Sequence, residues 1–252
     1  MKRNLVALVV VVAVGIGLVD PYACVQYSSG GSLKRAAPAR ERARVLAAAR
    51  RALALLPAPR GHVLDASSIT SQSDAEAAWE DGRGGWRAPV AARAERLYYK
   101  GETPEGDEGP PSFEQRVFVN SEIALPTGLE SEGAPPRDFP MRGAAAVLVT
   151  TAGAEESAEG TPSPGGRLAL PLPPGRAATA PAIVRVLLAD PALERAFREA
   201  GATGRLTLPT RRPPARAGTV ETLVVELYGG RRDVEAMARR IPVAALRRLL
   251  DR

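Results

Sequence analysis

The chain is poor in the residues that carry most recognisable chemistry. It has one cysteine, Cys24, and one histidine, His62. A single cysteine excludes an intrachain disulfide and a zinc cluster of cysteines. A single histidine excludes an H-x-x-x-H pair, and any serine or cysteine triad would have to use His62. That residue follows a helix stop, in Pro59-Arg60-Gly61-His62-Val63, where a surface loop histidine is the plain reading. Aromatic residues are only 4 % of the chain, and Lys2, Lys34 and Lys100 are the only lysines among 34 basic residues. The excess of arginine goes with abundant alanine, glycine and proline, all of which use GC-rich codons. Arginine abundance is therefore weak support for a nucleic-acid partner. Nucleophile elbow, Walker A and G-x-G-x-x-G motifs are absent. Gly82-Arg83-Gly84-Gly85-Trp86 reads as a turn, because no strand precedes it. No cofactor and no metal site is expected.

What is present begins with the N-terminus. Lys2 and Arg3 precede an apolar run from Leu5 to Val19, which Asp20 and Pro21 end. A basic start followed by about 15 apolar residues has the layout of a signal anchor or signal peptide, assigned to residues 1–27. A spanning helix usually needs about 20 apolar residues, and Tyr22 and Tyr27 at the interface would extend this one. The expected location is the bacterial inner membrane, reached through residues 5–19, with the body in the periplasm. Two alternatives stand beside it. Cys24 is a candidate lipidation site, which would make the protein a lipoprotein, although Pro21 and Tyr22 depart from the lipobox. Ordinary cleavage would release a periplasmic protein. A cytosolic protein that buries this run is a weaker option.

The body has a globular apolar content of 45 % and 252 residues, enough for one large domain or two small ones. Charge is segregated: residues 1–60 and 161–252 each carry net +8, whereas residues 101–160 carry net −9. Such asymmetry bears on association and solubility. Residues 28–37 have tether composition. A helix is predicted from about Pro38 to Leu56, with Val45, Leu46, Ala49, Leu53 and Leu56 on one face. Ser73-x-x-Glu76 has the pattern of a capping box and predicts a short helix through Trp79. Strands are predicted at 95–101, 114–122 and 144–151, and an exposed acidic loop joins the first two. Residues 124–142 read as irregular, and 152–166 as a linker between subdomains at 38–151 and 167–252.

In the last third, strands are predicted at 167–172, 204–209 and 219–228, and a helix at 181–189. Asp190-Pro191-Ala192-Leu193-Glu194 supplies the caps of another helix. A further helix follows Asp233 and restarts at Pro242. The fold class is α+β: an N-terminal apolar membrane segment, then small antiparallel or mixed sheets with helices packed on one face.

Three groups of residues remain as candidate sites. Asp65, Asp74, Glu76, Glu80 and Asp81 lie near Trp79 and Trp86, a combination suited to a sugar cleft with carboxylate acid/base catalysis. Glu102, Glu105, Asp107 and Glu108 form an acidic loop without calcium-loop spacing. Arg231, Arg232, Arg239, Arg240, Arg247 and Arg248 form pairs that suggest a basic patch for anionic lipid or for the acidic middle of the chain. The function expected is non-catalytic binding or assembly in the cell envelope, with an envelope protein as partner and no nucleic acid. The competing expectation is an exported hydrolase using a carboxylate pair between Asp65 and Asp81.

Overall fold

The computed structural model describes residues 32–80, 85–101, 111–121, 137–150, 181–203, 214 and 216–251. The chain enters as strand β1 (Ser32–Ala36) and turns into helix α1 (Ala39–Leu55). Strand β2 (His62–Leu64), a 3-10 turn at Ala66–Ser68 and strand β3 (Thr70–Ser73) follow. Next come β4 (Glu76–Glu80), β5 (Gly85–Trp86), β6 (Ala92–Lys100) and β7 (Phe113–Val119). The remaining elements are β8 (Arg137–Asp138), β9 (Ala145–Thr150), β10 (Pro181–Leu188), α2 (Pro191–Thr203), β11 (Leu223–Gly230), α3 (Arg231–Ala238) and α4 (Val243–Arg247).

The protein is α+β, and every strand pairing described is antiparallel. A small sheet runs β1-β4-β5. The main sheet runs β6-β7-β11-β10-β9-β8, with β2 and β3 both paired to the outer side of β6. Successive side chains of a strand point to opposite faces, so each strand contributes to two layers. On one face, Ala94, Tyr98, Phe113, Val117, Val225, Leu227, Val184 and Val186 are buried with Val45 and Leu53 of α1, Val234 and Met237 of α3 and Leu246 of α4. On the other face, Phe118, Val224, Leu187, Ala145 and Val147 pack with Leu193 and Phe197 of α2. Helices thus cover both faces, where the sequence pointed to one.

Several segments differ in kind from their sequence-based expectation; among them, Arg137–Asp138 of the irregular stretch and Gly85–Trp86 of the glycine-rich turn are the short strands β8 and β5. The tether expected at 28–37 ends in strand β1, whose Leu33 stands opposite Trp79 of β4. The helix expected from Ser73 to Trp79 is strand β4: the Ser73/Glu76 pattern specifies only two residues, and pairing on both sides by β1 and β5 overrides it. The helix expected at 181–189 is strand β10. Its two-sided burial, with Val186 and Leu187 on opposite faces and both fully covered, leaves an apolar run broken only by Arg185 and without the alternation that marks a strand covered on one face. The expected strands at 167–172 and 204–209 lie outside the described residues, as does the linker 152–166. Strands from either side of that linker interleave, because β11 and β10 lie between β7 and β9. Their buried side chains share one core, and Ser32–Arg252 forms one compact unit.

The N-cap of α2 forms at Asp190, as the sequence indicated. Asp190 Oδ1 accepts from the amides of Ala192 and Leu193 at 2.9 and 3.0 Å. Glu194 reaches back to the amide of Ala189 at 3.0 Å, one residue before the cap.

Two contacts fix the loop that leads into β11. Asn120 adopts φ 55°, and its side chain donates to Val90 O and Thr219 O at 2.9 and 2.7 Å and accepts from Glu221 N at 2.9 Å. Gly218 donates its amide to Glu41 Oε2 at 2.9 Å, and a Cβ there would stand 2.7 Å from Glu41 Cβ. Glycine is the residue that allows this backbone approach to α1.

Candidate functional site

Antiparallel register places four residues of alternating charge in one row across the main sheet. Glu95 on β6 stands opposite Arg116 on β7, Arg116 opposite Glu226 on β11, and Glu226 opposite Arg185 on β10. Thr70 on β3 ends the row on one side; on the other it continues through Val147 on β9 to the exposed Asp138 on β8. The pairs are in contact. Arg185 Nε donates to Glu226 Oε2 at 2.7 Å, and Arg116 Nη1 donates to Glu226 Oε1 at 3.2 Å. Arg116 Nε lies 3.7 Å from Glu95 Oε2, and Thr70 Oγ1 donates to Glu95 Oε1 at 3.0 Å. Glu114, two residues before Arg116 on the same strand, also accepts from Arg116. Arg93 adds a looser contact to Glu95 at 3.9 Å.

This ladder holds three arginines and three glutamates. Its exposure is uneven: the Glu226 side chain is 6 % exposed, that of Glu114 13 % and that of Arg185 14 %, whereas Arg116 is 39 % and Arg93 48 % exposed. Opposite charges directly across an antiparallel pair stabilise it, and withdrawal from water strengthens their attraction while raising the cost of breaking any one pair. On one side of the ladder lies the apolar row Phe118, Val224, Leu187 and Ala145 that supports α2. On the other side the row is Leu97, Glu114, Tyr228, Ile183 and Val149. Burial raises the Glu114 carboxyl above the ordinary range; Arg116 opposes that rise, and Glu226 and Glu95 add to it.

A second polar group lies on the opposite face of the same strands. Arg96 donates to Gln115 Oε1 and to Leu56 O, both at 2.7 Å, and Gln115 Nε2 donates to Pro57 O at 2.9 Å. These bonds satisfy carbonyls left free at the end of α1, a structural role. Burial lowers the Arg96 pKa and raises that of Tyr98 beside it.

Two of the carboxylates considered in the sequence, Asp65 and Asp74, are anchored at separate points along and just before β6. Asp65 caps the 3-10 turn, accepting from Ser67 N and Ser67 Oγ at 2.9 and 2.6 Å, and the Ser67 hydroxyl bond lowers its pKa. Its amide bonds to Leu97 O, whereas the amide of Asp74 bonds to Ala91 O. Those two anchor points are separated by about 20 Å of strand, well beyond the spacing of about 5–10 Å at which paired glycosidase carboxylates work. Asp74 is raised by burial, with Lys34 opposing. Glu76 is exposed at the start of β4, and Glu80 ends that strand. Trp79 and Trp86 do meet, as a cross-strand pair with ring centroids 4.8 Å apart at 81°, and Arg35 lies over the Trp79 ring at 4.6 Å. Asp81, the Gly82–Gly84 turn, Cys24 and the acidic residues Glu102 to Glu108 lie outside the described residues.

The six candidate patch arginines have separate roles. Arg231 and Arg239 both bond Glu235 within α3 and its cap, at 3.0 and 3.3 Å. Arg240 reaches Ala58 O at 3.4 Å. Arg247 is turned inward: it donates to Gly143 O at 2.8 Å, to Ala189 O at 3.3 Å and to the buried carboxylate of Glu194. Arg232 and Arg248 are exposed. His62 Nδ1 donates to Arg60 O at 3.0 Å, and the ring packs edge-on against Phe113. Among the described residues no cluster of His, Cys, Asp or Glu has the form of a metal site, and no helix is long and apolar enough to cross a membrane. The run Leu5–Val19 is outside those residues.

No family model matches the chain, and no curated protein or solved structure matches it.

Proposed function

We propose that this protein is a non-catalytic component of a bacterial envelope, held at the inner membrane by residues 5–19, with its α+β body outside the cytoplasm acting in binding or assembly. The observation that carries the proposal is the uninterrupted apolar run from Leu5 to Val19 behind Lys2 and Arg3. The basic start favours a cytoplasmic N-terminus and so an external body. Residues 20–31 separate the run from the compact unit that begins at Ser32. Twelve residues reach at most about 40 Å when fully extended.

Support for binding comes from the outer edge of the main sheet. There β2 and β3 are short, and Val63 on β2 and Ile69 just before β3 are exposed at 45 % and 52 %. An edge of this kind offers unpaired backbone groups and apolar side chains to a partner strand or surface.

The proposal is tested by fusing a reporter that is active only outside the cytoplasm to the C-terminus of the full chain. The fusion should be active, and deletion of residues 2–31 should abolish activity without lowering the amount of protein. An inactive reporter on the full chain would remove the envelope assignment.

A further inference from the structure

We propose that Glu114 is an acid-sensitive position in the ladder, taking up a proton while the sheet stays folded and turning a balanced set of three arginines and three glutamates into one with a single excess positive charge. The geometry singles it out. Arg116 is shared by three carboxylates, those of Glu95, Glu114 and Glu226. Glu226 has a second arginine, Arg185, at 2.7 Å. Glu95 has Arg93 at 3.9 Å and the Thr70 hydroxyl at 3.0 Å. Among the described residues, Glu114 has Arg116 alone. With three anions around one guanidinium, the carboxylate with the least other support is the one that gains most from a proton.

The groups that face Glu114 come from three strands. From its own strand there is Arg116. From β6 there is Leu97 directly opposite, with Glu95 and Arg93 further along. From β11 there is Tyr228 directly opposite, with Glu226 beyond it and Arg185 behind that on β10. Burial is the largest influence on Glu114 and favours its neutral form, and the two neighbouring glutamates act in the same direction. A carboxyl raised in the folded state contributes stability below its unfolded pKa and loses that contribution as pH rises through its folded pKa. Protonation of Glu114 therefore favours the fold. Mild acid changes the charge of this face without opening the sheet, and Arg116 keeps its bonds to Glu226 and Glu95.

The test is a pH titration of the full chain in detergent micelles, following glutamate side-chain carbonyl carbons by NMR. The Glu114 signal is assigned by its absence in Glu114→Gln. Its midpoint should lie above the ordinary glutamate value of about 4.3. Glu114→Gln should also melt a few degrees above wild type at pH 7, with the difference closing as pH falls to 4. A midpoint at or below the ordinary value overturns the proposal. So does a Glu114→Gln protein that melts lower at pH 7 or fails to fold, because tolerance of a neutral side chain there is the premise.

Discussion

Replacing Glu226 with alanine is expected to lower stability by about 3–5 kcal/mol. Glu226 is the only described carboxylate in contact with Arg185, and it shares Arg116 with Glu95 and Glu114. Removing it leaves the Arg185 guanidinium, whose side chain is 14 % exposed, without its ion-pair partner in the middle of a sheet. The loss is larger than the pair itself is worth, because most of it is the cost of a desolvated charge. Chemical denaturation at pH 7 measures it. The Arg185→Ala, Glu226→Ala double variant should be less damaged than the sum of the single variants by about 1–3 kcal/mol. Additive losses would mean that the two side chains do not depend on one another.

Arg247→Ala is expected to cost about 3 kcal/mol, whereas Arg232→Ala and Arg248→Ala should stay within about 0.5 kcal/mol of wild type. The contrast separates two descriptions of the same C-terminal arginines. Arg247 joins three parts of the fold: Gly143 before β9, Ala189 after β10, and Glu194 in the first turn of α2. Glu194 is itself 6 % exposed and holds the Ala189 amide, so loss of Arg247 strands a buried carboxylate and loosens the start of α2. Thermal melts of the three variants distinguish the cases. Equal, small effects would mean that Arg247 belongs with the exposed arginines.

Much of the fold was legible, and the failures have a common cause. The α1 face spaced by Val45, Ala49 and Leu53 signals its period within a single helix, and the Asp190-Pro191 cap is local chemistry. Strands β6, β7 and β9 lay within a few residues of their expected positions. What a short window cannot show is whether an apolar run is covered on one side or two. Residues 181–189 therefore looked helical, although Val184 and Leu187 point to different layers of a sheet. The ladder was hidden for a deeper reason. Glu95, Arg116, Arg185 and Glu226 are separated by twenty or more residues at each step, and only the register of four strands puts them in one row. Charge counts along the chain pointed instead to the acidic middle and to the C-terminal arginines. Several of those arginines turn out to be occupied by carbonyls and carboxylates within the fold.

The most direct test of the account is fractionation of cells that make the full chain. Residues 5–19 should hold the protein in the membrane pellet through washes with high salt and alkaline buffer, with release only by detergent, and a chain lacking residues 2–31 should appear in the supernatant. Full-length protein with an intact N-terminus in the soluble cytoplasmic fraction would contradict it.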